Sequence, residues 1–96
     1  MASNRSEVAM ARTPEQVAAD DALTAAIEAM HRAYHPEIEG VLTKYMVLAQ
    51  RQWWDEDGDA VTANCMSPRD NSVPLSDQLG LVEYAGARLR AMIMED

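Results

Sequence analysis

A single cysteine, Cys65, stands in this chain of 96 residues, so no intrachain disulfide can staple the fold, and one unpaired thiol suits a reducing compartment. Long apolar runs are also missing. None approaches the roughly 18 residues that a membrane-spanning helix needs. The opening Met-Ala-Ser-Asn-Arg-Ser-Glu is polar and lacks the apolar stretch of a secretory signal. These absences predict a cytoplasmic protein with no membrane contact. Cations are scarce: eight Lys and Arg stand against sixteen Asp and Glu, for a formal charge of −8. Nucleic-acid binding requires clustered cations that displace counterions from phosphates, and Arg5, Arg12, Arg32, Lys44, Arg51, Arg69, Arg88 and Arg90 are scattered. The composition therefore argues against nucleic acid as a partner.

What is present suffices for one domain, with hydrophobic residues at 48%. A core built from so short a chain is thin, and small domains are commonly completed by disulfides, a metal or a second subunit. With one cysteine and a weak case for metal, self-association is the expected remedy.

Residues 1–12 carry no periodic apolar pattern and read as a mobile N-terminal arm, leaving 13–96 as a single domain. Thr13-Pro14-Glu15-Gln16 has the form of a helix start, with Thr13 as cap, Pro14 at the first helical position and Gln16 reaching back. The stripe Ala19, Leu23, Ala26, Ile27, Met30, Ala33, Tyr34 follows at helical spacing. Asp20 falls near this stripe, which places the first turn and a half off the expected core. His35-Pro36 ends the helix.

After Gly40 the pattern fits helix or strand until Asp55-Glu56-Asp57-Gly58-Asp59, whose Asp-Gly pair signals a hairpin turn. Two antiparallel strands are predicted, over about 43–54 and 59–66. With Asp57 and Gly58 as the central turn residues, Trp54 would oppose Val61 and Trp53 would oppose Thr62, leaving both faces mixed and the core face undecided. Ser67 to Pro74 reads as a loop. Leu75, Leu79, Val82, Gly86, Leu89 and Ile93 then step by fours and threes along a last helix starting near Ser76. Gly86 beside Ala85 leaves a shallow place for a close approach. The predicted fold is α+β in the order α-β-β-α, with two amphipathic helices on a hairpin, completed by dimerisation because a lone two-stranded sheet is marginal in water.

Chemistry-bearing residues form no complete constellation. His31 and His35 have the i, i+4 spacing of zinc ligands, with Glu28 and Glu39 nearby, but no further Cys or His joins them. Histidines near a helix C-terminus also suit the dipole. Asp55, Glu56, Asp57 and Asp59 resemble the opening of a calcium loop. Gly58 comes too early, however, and Met66 occupies the twelfth position where a glutamate is needed. Cys65 lacks a nucleophile signature, and no glycine-rich phosphate loop occurs. The expectation is a protein that is not an enzyme and has no cofactor or metal. Trp53-Trp54 is the most informative dipeptide, since neighbours on a strand point to opposite faces and one layer cannot cover both. The candidate partner-binding residues are Trp53, Trp54, Asp55, Glu56, Asp57 and Asp59, with one tryptophan expected in the core and the other free to bind.

The runs Ala22-Leu23-Thr24-Ala25-Ala26-Ile27-Glu28, Glu39-Gly40-Val41-Leu42-Thr43-Lys44-Tyr45-Met46-Val47-Leu48, Asp55-Glu56-Asp57-Gly58-Asp59 and Leu79-Gly80-Leu81-Val82 resemble a pattern of small accessory proteins of actinobacteria-infecting phages (mycobacteriophage-like). The resemblance covers residues 22–93. The histidines at 31 and 35 and the tryptophans at 53 and 54 depart from that pattern. It implies a phage accessory protein in the host cytoplasm that binds and modulates a host bacterial protein, and it implies no catalytic residue. Two alternatives accompany that expectation: an acidic, nucleic-acid-mimicking inhibitor of a host defence protein, and a metal-dependent enzyme using His31 and His35.

Overall fold

The computed structural model describes residues 11–95; of the arm expected over 1–12, all but the last two residues lie outside that range. The elements run α1 (Pro14–Tyr34), β1 (Met46–Trp54), β2 (Ala60–Pro68), a 3-10 turn (Arg69–Asn71) and α2 (Leu75–Glu95). The chain is α+β in α-β-β-α order, as the pattern predicts. Among the described residues no helix is long and apolar enough to cross a membrane. Among the described residues two compact units form: 11–44 with Arg69–Ser72, and Tyr45–Pro68 with 73–95.

In the first unit, α1 opens with the expected capping box. The Thr13 hydroxyl accepts the Gln16 amide at 3.1 Å, and the Thr13 amide donates to Gln16 Oε1 at 2.8 Å. Such a cap contributes about 1 kcal/mol. The helix stops where His35 precedes Pro36, and the His35 amide still donates to the His31 carbonyl. The covered face is rotated from the expected stripe. Leu23 and Ile27 are half-buried together with Val17, Asp20, Thr24 and His31, whereas Ala19, Ala26, Met30, Ala33 and Tyr34 stay exposed. Asp20 can occupy this face because Arg12 Nη1 donates to its carboxylate at 2.7 Å.

Arg12 also reaches Asp70 at 3.4 Å, and Arg69 lies 3.8 Å from Asp70. Arg69 donates to the carbonyls of Leu42 at 2.7 Å and Thr43 at 3.1 Å. Those carbonyls are thereby engaged by a side chain, and β1 begins at Met46 rather than near residue 43. Asp70 and Asn71 take positive φ, 52° and 53°, the left-handed conformation that Asp and Asn tolerate best among residues with a side chain. The Arg12 guanidinium is held above its ordinary pKa, first by the Asp20 hydrogen bond; desolvation opposes this as the next largest effect, and the charges of Asp70, Asp20 and Asp21 add to the rise.

In the second unit, β1 and β2 form a two-stranded antiparallel sheet. Its register is one residue off the expected one: Trp54 pairs with Ala60, Trp53 with Val61, Gln50 with Asn64 and Ala49 with Cys65. The shift changes which side chains share a face, since strand side chains alternate. Val47, Ala49, Trp53, Val61, Ala63 and Cys65 share one face with Arg51 and Ser67, and Val47, Val61 and Ala63 are half-buried there. The other face carries Met46, Leu48, Trp54, Ala60, Met66 and Pro68 around a polar middle of Gln50, Gln52, Thr62 and Asn64, where Gln50 Nε2 donates to Asn64 Oδ1 at 3.1 Å. The pairing runs on to Pro68, two residues beyond the predicted end of the strand; a proline that ends a strand of a two-stranded sheet need not donate to the ladder.

Helix α2 starts at Leu75, where the Pro74 carbonyl accepts the amides of Asp77 and Gln78 and the Gln78 side chain donates to the Val73 carbonyl. Neither helix contains a buried residue. Tyr45 is the one buried hydrophobic residue among those described.

Candidate functional site

The end of the hairpin is built by Asp55. Its amide donates to the Asp59 carbonyl, and its own carbonyl accepts the Gly58 amide, both at 3.0 Å. Its Oδ1 accepts the amides of Asp57 and Asp59, each at 2.9 Å. These bonds make Glu56 and Asp57 the centre of the turn and put Gly58 after it at φ 83°, a three-residue connection closed by a left-handed glycine. This overturns the two-residue turn centred on Asp57 and Gly58. The extra loop residue moves the register by one.

The carboxylates of Asp55, Asp57 and Asp59 lie within 4.8 Å of one another and are exposed. No cation pairs with them among the described residues. Asp55 points inward to hold the turn, while Glu56, Asp57 and Asp59 present charge to solvent. The two tryptophans come immediately before this turn. Trp53 is 47% exposed and Trp54 is 65% exposed, on opposite faces. The expectation that one of them sits in a core is corrected here: neither is buried in the single chain. Trp53 lies opposite Val61 on one face, and Trp54 stands opposite Ala60 on the other.

The other candidates do not assemble. His31 and His35 line a concavity of the first unit with Glu28, Arg32, Glu39 and Lys44. His35 Nδ1 lies 4.0 Å from Glu37, and Arg32 pairs with Glu28 at 3.5 Å. Among the described residues, no group of three ligand-bearing side chains converges around either histidine. Cys65 is exposed and belongs to the other unit, opposite Ala49. The Arg12–Asp20–Asp70–Arg69 series escaped the sequence reading. Its members are up to 58 residues apart, and no local spacing marks them. Comparison with family models, curated proteins and solved structures finds no match to this chain, so its site is read from geometry alone.

Proposed function

We propose that this chain is a non-enzymatic protein-binding protein that engages its partner through the end of the hairpin. Trp53 and Trp54 act as anchors, and Asp55, Glu56, Asp57 and Asp59 meet a basic surface. The observation that carries this reading is two adjacent, exposed tryptophans on opposite faces beside an unpaired acidic turn. Tryptophan is enriched among the residues that dominate binding energy, and uncompensated rim charge steers encounter with a partner of opposite sign. A strand end that offers one ring to each side suits insertion into a cleft. The resemblance to phage accessory proteins supports a host bacterial protein as the partner, met in the host cytoplasm.

The test is affinity capture from an actinobacterial lysate with the wild-type chain, Trp53→Ala and Trp54→Ala, read by mass spectrometry at low and high salt. A captured protein lost with either tryptophan and retained at high salt is the expected result. The same set captured by all three chains would overturn the reading. Capture that collapses with salt but ignores the tryptophans would favour the nucleic-acid-mimicking inhibitor.

A further inference from the structure

Helix α2 carries its own docking instructions, on a surface separate from the hairpin end. Leu75, Leu79, Val82, Gly86, Leu89 and Ile93 fall at the alternating three- and four-residue steps of a heptad seam. All five of the large side chains are exposed, from 39% at Val82 to 81% at Leu75. The heptad spacing of this seam suits one partner helix, and Leu81, Tyr84, Met92 and Met94 are exposed on the helix beside it. We propose that α2 pairs with α2 of a second copy of this chain, antiparallel, with Leu89 of each copy seated over Gly86 of the other.

Two features select that geometry. A parallel pair would set Gly86 against Gly86 of the partner and leave a hole in the middle of the seam, whereas an antiparallel pair lets a leucine fill it. In the antiparallel register that brings Gly86 to Leu89, Val82 meets Ile93 of the other chain. The flanking positions then bring Glu83 to Arg90 of the other chain, twice by symmetry. Sliding the chains by one heptad to bring Val82 over Gly86 would place Glu83 against its own copy. In a parallel pair, the positions that would face Glu83 and Arg90 are Gln78 and Ala85, neither of them charged. This register pairs the seam from Val82 to Ile93 and leaves Leu75 and Leu79 outside it, whereas the shifted register would set Leu75 on Ile93 and Leu79 on Leu89; it is the charge pairing of Glu83 with Arg90 that chooses the first arrangement. In the single chain the Arg90 guanidinium lies over Gly86, 3.4 Å from where a Cβ would stand. A flexible side chain is thus all that must swing aside, and the movement carries it toward Glu83 of the partner.

The experiment is sedimentation equilibrium of the full chain from micromolar to submillimolar concentration, in a Cys65→Ser background. A concentration-dependent dimer is expected, lost in Leu89→Glu. Glu83→Arg should weaken it roughly tenfold, as two flanking attractions become repulsions, and the double variant Glu83→Arg with Arg90→Glu should restore it. Mixing Val82→Cys chains with Ile93→Cys chains under mild oxidation should yield the mixed disulfide in preference to either homodimer. A monomer throughout, a dimer indifferent to Leu89→Glu, failure of the double charge variant to restore association, or preferential homodisulfides would each overturn the proposal. Helical circular dichroism on every variant separates lost pairing from a lost helix. Because these substitutions leave the hairpin end intact, partner capture by the same variants is read independently.

Discussion

The Gly58 amide donates to the Asp55 carbonyl at 3.0 Å while Gly58 itself sits at φ 83°, and this pair of residues sets the register of the whole hairpin. A side chain at position 58 would meet nothing within 4 Å. The cost of Gly58→Ala is therefore the backbone cost of the left-handed conformation alone, about 1–2 kcal/mol. Gly58→Asn should cost less, since asparagine tolerates this region. Urea unfolding of the two variants should rank them in that order, and equal midpoints would show that the turn does not hold its glycine in this conformation.

Asp55→Ala removes the acceptor of two amides at once. Because the turn is exposed, water replaces part of the loss, and a destabilisation of about 1 kcal/mol is expected. Asp57→Ala and Asp59→Ala remove comparable charge but no acceptor of a turn amide, and should leave the midpoint nearly unchanged. Relief of like-charge repulsion could even raise it, most visibly at low salt. Amide exchange at Asp57 and Asp59 provides the local check: it should accelerate in Asp55→Ala, and an unchanged rate would mean that the carboxylate bonds do not form.

The element order was legible because each element has its own local signal: Thr13 and Gln16 for the start of α1, Pro36 for its end, Asp57-Gly58 for a reversal, and the seam from Leu75 to Ile93 for α2. Register was not legible, because a dipeptide cannot say whether the residue before it also belongs to the turn. That choice rests on the Asp55 carboxylate, which captures the amides of Asp57 and Asp59. The covered side of α1 was misplaced for a similar reason. Asp20 looks unfit for a covered face until Arg12 is brought to it, and nothing in the sequence pairs Arg12 with Asp20 or with Asp70. Of the candidate site, the exposed charge at the tip followed from composition. The exposure of both tryptophans did not, since alternation requires opposite faces but leaves open how much covers each one.

Arg69 gives a second stability test. It joins the 3-10 turn to the carbonyls of Leu42 and Thr43, and Arg69→Met keeps much of the aliphatic stem while removing both donors. A loss of about 1–2 kcal/mol is expected, as for hydrogen bonds from a charged group. Arg69→Lys should recover only part of it, because an ammonium lacks the planar fork. Faster amide exchange along residues 42–45 would accompany the loss. An unchanged exchange pattern in Arg69→Met would mean that this segment is held by something else.

The exposure of Trp53 and Trp54 makes a prediction about binding as distinct from folding. Truncating a buried tryptophan costs about 3–5 kcal/mol, but at 47% and 65% exposure each ring forfeits only part of that. Both Trp53→Ala and Trp54→Ala should therefore fold. Trp53→Ala should be the more destabilising of the two, because Trp53 shares its face with Val61 and Ala63. Trp54→Ala removes the more exposed ring, whose neighbours on its face are Gln52, Ala60 and Thr62, and should leave the unfolding midpoint close to that of the parent chain. Fluorescence quenching supplies the direct measurement. Acrylamide is the suitable quencher because it is neutral, whereas iodide would be repelled by the adjacent carboxylates and would understate accessibility. The single-tryptophan chains should both be quenched efficiently, with the Trp53→Ala chain, which retains Trp54, quenched more. If either remaining ring resists acrylamide in the isolated protein, that ring is covered already. The hairpin end would then offer one anchor rather than two, and the partner's cleft would have to be sought around the acidic turn alone.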